Sequence, residues 1–214
     1  MRSYSHVTPR YVFDRVGEMI SLRFDPNAPW LAKRLVRILE ARLEPTNRGL
    51  EWGAGRSTIW FAKRVAHLVS IEHDEWWAET VRKRIGVEGI GDRVTLHCLP
   101  YGESEQGELS AASPYVCVVD GLAPESLDFC LVDGACRDHC ALAILPKLKV
   151  GGMLIIDDIQ RYFPRSAKSR APCARGLEDG FASESWEDVA RIISEWPCTW
   201  TTNGVRDTAL WTKV

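Results

Sequence analysis

No stretch of this chain stays apolar for the length of a membrane span, and the N-terminal MRSYSHVTPR has no hydrophobic core of the kind a secretory signal carries. A spanning helix needs about 20 mostly apolar residues, so neither membrane insertion nor export is expected. Charge of one sign is also scarce. The 27 basic and 29 acidic residues leave a net charge of −2, too weak a field to expect nucleic acid as a partner. None of the seven cysteines stands in a CxxC pair, and their number is odd. With the apolar neighbours of Cys117 and Cys130, this predicts reduced, mostly buried thiols in a cytoplasmic protein. Cys136, His139 and Cys140 are zinc-binding residue types, but core thiols are the preferred reading. There is no internal repeat and no low-complexity tract. At 214 residues the chain reads as one domain over 1–214, long enough to bury a full core.

What is present alternates in period. Asn27-Ala28-Pro29 reads as a helix cap with proline in the first turn. Leu31, Leu35, Ile38, Leu39 and Leu43 recur at three- and four-residue steps, predicting an amphipathic helix over 28–43. Residues 1–26 precede it as an extension with a short helix near 11–22. Apolar runs at 48–52, 68–72, 93–98, 128–132 and 152–157 predict buried strands, separated by helical patterns at 56–65, 75–85 and 138–148. The polar stretch 99–113 reads as a loop, and 115–119 as a short strand or part of that loop. A helix at 185–195 precedes strands at 198–202 and 206–213, joined through Asn203-Gly204, a hairpin signal. The fold class is α/β.

The most informative stretch is 48–74, RGLEWGAGRSTIWFAKRVAHLVSIEHD. A strand ends in Glu51, glycines follow at Gly53 and Gly55, and Ser57 and Thr58 open a helix. A second strand then ends in Glu72. Glycine lets backbone approach a ligand where a Cβ would clash. Free N–H groups at the next helix N-terminus can hold a carboxylate or phosphate. An acid at the tip of the second strand can accept both hydroxyls of a ribose. An adenosine-containing ligand is therefore expected. The dinucleotide fingerprint G-x-G-x-x-G would want a third glycine where Thr58 stands. Its absence weakens hydride transfer with a nicotinamide cofactor, which is kept as an alternative.

The arrangement E-x-G-x-G-x-S/T resembles motif I of class I S-adenosylmethionine (SAM)-dependent methyltransferases. The resemblance implies a Rossmann-like three-layer sandwich. Its mostly parallel seven-stranded sheet would run in the order 3-2-1-4-5-7-6 and end in an antiparallel hairpin. It also implies SAM as cofactor, in a pocket of Glu51, Gly53, Ala54, Gly55, Ser57, Thr58, Glu72, His73 and Asp133. There the glycine loop wraps the methionine end and Glu72 binds the ribose.

The second half extends the match. LDFCLVD at 127–133 ends in Asp133, and LKVGGMLIIDD at 148–158 passes a Gly151-Gly152 turn into Asp157 and Asp158. These resemble the fourth and fifth strands of the same superfamily, so the likeness spans about residues 30–160. In open α/β sheets ligands bind beyond the carboxyl ends of the strands. Glu51, Glu72, Asp133, Asp157 and Asp158 all fall there, either as one site or each as the cap of its next helix. Grouped acids are costly unless cations or donors meet them.

Val132-Asp133-Gly134-Ala135 and Asp157-Asp158 also resemble the V-D-A-D and D-N motifs of metal-dependent catechol- and caffeoyl-CoA-type O-methyltransferases. The second aspartate of V-D-A-D is missing and Asp158 stands for the asparagine. The resemblance implies Asp133, Asp157 and Asp158 as ligands of Mg²⁺, which would hold an acceptor hydroxyl. Without metal, Asp133 or Asp158 can act as a general base. Arg137 can hold an anionic acceptor group or pair with the acids. His139 can be a base or a helix-surface residue.

The segment 159–184, with Arg161, Arg165, Lys168, Arg170 and Arg175, is expected to overhang the site as an anion-recognising or merely solvated loop. Tyr162 and Phe163 are expected towards the acceptor, and Trp76 or Trp77 against adenine. The N/D-P-P-Y/F motif of amino- and adenine-N-methyltransferases is absent. The reading is methyl transfer from SAM to a hydroxyl of a small molecule, Mg²⁺-assisted or not, carried by Asp133, Asp158 and Arg137. A SAM-binding protein without activity is the other alternative. Neither nucleic acid nor membrane is an expected partner, and a homodimer is left open.

Overall fold

The structure, a computed structural model, describes residues 28–102, 111–164, 173–203 and 206–214. The helix expected near 11–22, the cap at Asn27, the basic residues Arg165, Lys168 and Arg170, and Gly204 of the hairpin lie outside the described residues.

The described chain runs α1 (Lys33–Arg42), β1 (Arg48–Trp52), α2 (Arg56–Ala62), β2 (His67–Glu72), α3 (Glu75–Glu88), β3 (Val94–Cys98), a one-turn α4 (Pro114–Cys117), β4 (Leu127–Val132), α5 (Arg137–Ile144), β5 (Leu148–Asp157), α6 (Glu184–Ile192), β6 (Cys198–Thr202) and β7 (Asp207–Thr212). The strands form one sheet in the order β3-β2-β1-β4-β5-β7-β6. β1 to β5 pair in parallel, while β7 runs antiparallel to both β5 and β6. This is the order that the resemblance implied. Among the described residues no helix is long and apolar enough to cross a membrane.

Local chemistry sets the element ends. Asp74 caps α3 by accepting from Trp77 N at 2.6 Å, and Gly89 ends it in the left-handed region at φ 66°. Ser183 caps α6 by accepting from Trp186 N. Two expectations give way. The helix expected from residue 28 starts at Lys33, with Ala32 at its cap position and no side-chain cap. The 115–119 stretch is not a strand. Ser113 accepts from Val116 N and Pro114 occupies the first turn, which together start a helix at α4.

A strict two-residue alternation divides the core into two faces. Leu50, Trp52, Ile71, Cys130, Val132, Leu154, Ile156, Ala209 and Trp211 point to one side, where α5 and α6 lie on them with Ile144, Trp186 and Val189. Leu68, Phe129, Leu131, Met153, Ile155 and Leu210 point to the other, covered by Leu35 and Leu39 of α1 and Trp60 and Phe61 of α2. The Phe129 ring lies directly over Gly49, where a Cβ would come within 2.0 Å of it, and packs on Phe61 at 4.7 Å between centroids. Gly49 is therefore the slot that seats a central aromatic. Gly49→Ala should overpack this layer and destabilise the fold by about 1–3 kcal/mol, seen as a lower urea midpoint with an unchanged slope.

Candidate active site

The parallel register brings Trp52, Glu72, Val132 and Asp157 to one edge of the sheet, the carboxyl ends of four strands. Glu51 lies one residue short of that edge and is wholly buried. It is the register partner of Ser70 on β2. Ser70 Oγ donates to Glu51 Oε1 at 2.8 Å, and the Thr58 hydroxyl donates to the same oxygen. Thr58 Oγ1 in turn accepts from Gly55 N at 2.8 Å. One carboxyl thus anchors the start of α2 and the glycine loop from beneath. Glu51 Oε2 has no partner among the described residues. Burial pushes the Glu51 carboxyl from 4.5 up to about 7, against the lowering effect of the hydroxyls of Ser57, Thr58 and Ser70.

The glycine loop touches the tip of β4. Gly53 sits at φ 95°, and a Cβ there would lie 2.9 Å from the Asp133 carbonyl carbon and oxygen. A Cβ on Gly134 would lie 3.0 Å from Gly53 N and 2.0 Å from Tyr115 Oη. The close approach that Gly53 permits is thus to its own chain. Gly53 N donates to Ile71 O at 2.8 Å and Asp133 N to Trp52 O at 2.9 Å, which carries the ladders past the strand ends. Ala54 is buried, and its carbonyl accepts from Trp77 Nε1 at 2.7 Å. Trp77 therefore braces the loop, whereas Trp76 is 75 % exposed.

Glu72 is 4 % exposed. Its Oε1 accepts from His73 N at 2.8 Å and Asp74 N at 3.0 Å, and lies 3.0 Å from His73 Nδ1. These contacts fix the carboxylate's orientation. No described residue donates to Oε2. The His73 ring meets Tyr101 edge-on at 4.9 Å.

Beyond β4 and β5, Arg137 acts as a clamp. Its Nε donates to Gly134 O at 2.9 Å, Nη1 to Asp157 O at 2.6 Å, and Nη2 to Asp133 O at 3.0 Å and Asp133 Oδ1 at 2.9 Å. The two strand tips are tied together by one guanidinium. Asp133 keeps 35 % of its side chain open. Burial and the neighbouring Asp157 raise its carboxyl well above the usual carboxylate range, while Arg137 pulls the other way. Asp157 is buried, accepts from the Thr208 hydroxyl, and is likewise raised, first by burial. Asp158 holds a left-handed backbone at φ 55°, accepts from Gln160 Nε2 at 3.2 Å, and faces Arg137, Arg161 and Arg206 at 4.0, 3.9 and 3.7 Å.

These acids do not fit a magnesium cage. One oxygen of each is taken by a donor, Arg137, the Thr208 hydroxyl or the Gln160 amide, and among the described residues no three His, Cys, Asp or Glu gather as a metal site. Cys136 and Cys140 are buried in the core and all seven cysteines are free thiols. His139 turns to Ser185 of α6 at 3.4 Å, beside the Asp138–Ser183 hydrogen bond of 2.8 Å, so it joins two helices. Phe163 packs in the core with Phe181, Trp186 and Trp211, and Tyr162 stacks on Trp186 at 4.9 Å. Sequence reading missed Tyr115, Gln160, Thr208 and Arg206. The Tyr115 hydroxyl accepts from Ala135 N at 3.3 Å and its carbonyl from Trp52 Nε1 at 2.8 Å. Thr208 reaches Asp157 only through the antiparallel register of β5 and β7, which no local motif encodes.

The Glu51 carboxyl makes a measurable prediction. The folded protein holds this proton more tightly than the unfolded chain, so the group favours folding most below about pH 4.5. That contribution declines as pH rises from 4.5 to about 7 and is level above. The decline is roughly 3 kcal/mol. Glu51→Gln should remove it, so that urea unfolding on the alkaline side of the window finds the variant gaining on the wild type.

Comparison with known proteins agrees with this geometry. A family model described as a methyltransferase domain matches residues 50–159, more than half of the chain. No curated protein matches. Among solved structures, the O-methyltransferase from Bacillus cereus in complex with SAH is 16% identical, with 92% of this chain and 90% of that one covered at a TM-score of 0.59. The O-methyltransferase TomG from Streptomyces achromogenes, involved in tomaymycin synthesis and in complex with SAM, is 18% identical over 97% and 91% at 0.56. A protein from Staphylococcus aureus provisionally described as a caffeoyl-CoA O-methyltransferase is 15% identical over 97% and 93% at 0.55. At such identities these likenesses concern the fold. The family match over more than half of its length places the chain in the methyltransferase domain family, as a class I SAM-dependent methyltransferase.

Proposed function

We propose that this protein methylates a hydroxyl of a small-molecule acceptor, with Asp133 receiving the hydroxyl proton. The supporting observation is the position of Asp133. Its backbone packs on the glycine loop at Gly53, and of the three aspartates at the tips of β4 and β5 it is the most open. A carboxyl raised above the usual range is a better base near neutral pH than an ordinary one.

The residues present suit SAM. Glu72 Oε2 stands without a described partner at the tip of β2, its other oxygen locked by backbone donors, so it can accept from ribose hydroxyls without rearranging. Bound there, SAM supplies an electrophilic methyl group on its sulfonium. The chain's own work is then positioning and proton handling. Glu51, through Thr58, holds the loop in shape. Arg137 is a positioning residue, since its donors are spent on the carbonyls around Asp133 and on Asp133 itself. Its charge keeps part of the anionic character of Asp133, opposing burial.

No part of this reading needs magnesium, because the acids already meet guanidinium and hydroxyl donors. A small acceptor fits a described chain that is nearly all sheet and flanking helices. Seven free thiols fit the reducing cytoplasm.

Two variants separate the halves of the site. Glu72→Gln should weaken SAH binding by roughly 10- to 100-fold, the worth of a charge-assisted hydrogen bond, measured by calorimetric titration; unchanged affinity would remove Glu72 from the pocket. Asp133→Asn should lower kcat by about 10²- to 10⁴-fold while SAH still binds, in a radiolabelled methyl-transfer assay over a panel of hydroxyl compounds. In the wild type the rate should rise with pH through a limb lying above the usual carboxylate range. A rate unaffected by the asparagine would end the base assignment.

A further inference from the structure

Three arginines surround the tip of β5, and they are not equivalent. Arg137 is 14 % exposed in its side chain and donates to fixed backbone acceptors. Arg161 and Arg206 keep 55 % and 56 % of their side chains open. They come from separate segments, Arg161 from the turn after β5 and Arg206 from the chain entering β7. Both converge on Asp158, whose side chain is 8 % exposed. Their approaches, 3.9 and 3.7 Å, are beyond hydrogen-bonding distance.

Asp158 therefore draws two guanidiniums together without satisfying the forks of either, and one carboxylate balances only one of the two charges. The nearby acids add little balance. Asp157 is buried under Thr208, and Asp133 is engaged by Arg137. Arg206 also opposes the rise of the Asp133 and Asp157 carboxyls, though less than Arg137 does. Arg161 has a neighbouring thiol, Cys173, as its other partner.

We propose that Arg161 and Arg206 form an anion-recognition subsite, so that the methyl acceptor carries a carboxylate or phosphate group held at the tip of β5 while its hydroxyl faces Asp133. Guanidinium forks match the paired oxygens of both groups. The excess positive charge disappears when such an anion enters, and Asp158 holds the pair in place in its absence. This subsite rests on the methyltransferase reading for its purpose, but not for its existence.

The test is calorimetric titration of the whole chain, alone and with SAH, using inorganic phosphate and, separately, benzoate. One of the two should bind in the millimolar range, phosphate pointing to a phosphorylated acceptor and benzoate to a carboxylic acid. In Arg161→Gln/Arg206→Gln that binding should fall at least tenfold, with SAH affinity unchanged. Because the double change leaves Asp158 short of cations, Arg206→Gln alone is run beside it and should show a smaller loss. Absence of binding of either anion to the wild type, or equal binding by the folded variants, overturns the proposal. Anion binding without SAH binding would uphold the subsite and strike instead at the methyltransferase pocket.

Discussion

Everything at the carboxyl edge of this sheet depends on two strand tips touching backbone to backbone. Gly53 after β1 and Gly134 after β4 leave no room for a Cβ between them, since each would meet the other's main chain at about 3 Å or less. The contact joins the glycine loop to the loop that carries Asp133, and the hydrogen bonds Gly53 N–Ile71 O and Asp133 N–Trp52 O hold both in the plane of the sheet. A methyl donor and a proton acceptor must sit at a fixed separation for an in-line transfer. In the proposed reading that separation is set where β1 and β4 lie side by side in parallel and the strand order reverses.

Around this point the protein keeps acids in two different ways. Glu51 is sealed beneath the loop, met only by hydroxyls, and retains its proton to near neutrality. It works as a structural hydrogen-bonding group whose charge would be expensive. Asp133 and Asp158 face guanidiniums instead and Asp157 a hydroxyl, and burial, with the neighbouring carboxylates, shifts Asp133 and Asp157 upward. Arg137 is central to both the geometry and the electrostatics: it fastens the tips of β4 and β5 through their carbonyls while offsetting the burial of Asp133.

Much of this was legible in the residues. The strands at 48–52 and 198–202 fall at Arg48–Trp52 and Cys198–Thr202, because short apolar runs bounded by turn chemistry leave few alternatives. The acids at strand tips were visible as the residues that end each run. What periodicity cannot carry is the cross-sheet register. Thr208 against Asp157, Gln160 accepting from Asp207 N, and Arg206 beside Asp158 arise from a strand that returns antiparallel from 50 residues away in the chain or thereabouts. The same holds for Tyr115, whose hydroxyl fills the space over Gly134 from a one-turn helix that read as a loop or strand. The motif marks Gly53 as a point of close backbone approach, while the surface it accommodates is visible only in three dimensions.

Cys136, at the start of α5, and Asp158, directly after β5, adopt left-handed backbone without being glycine. For ordinary L-residues that conformation costs on the order of 1–2 kcal/mol, less for aspartate, and glycine would remove the cost at once. Glycine at 158 would also remove the carboxylate that gathers the arginines. At that position the backbone alone favours glycine, and the balance of charge favours aspartate.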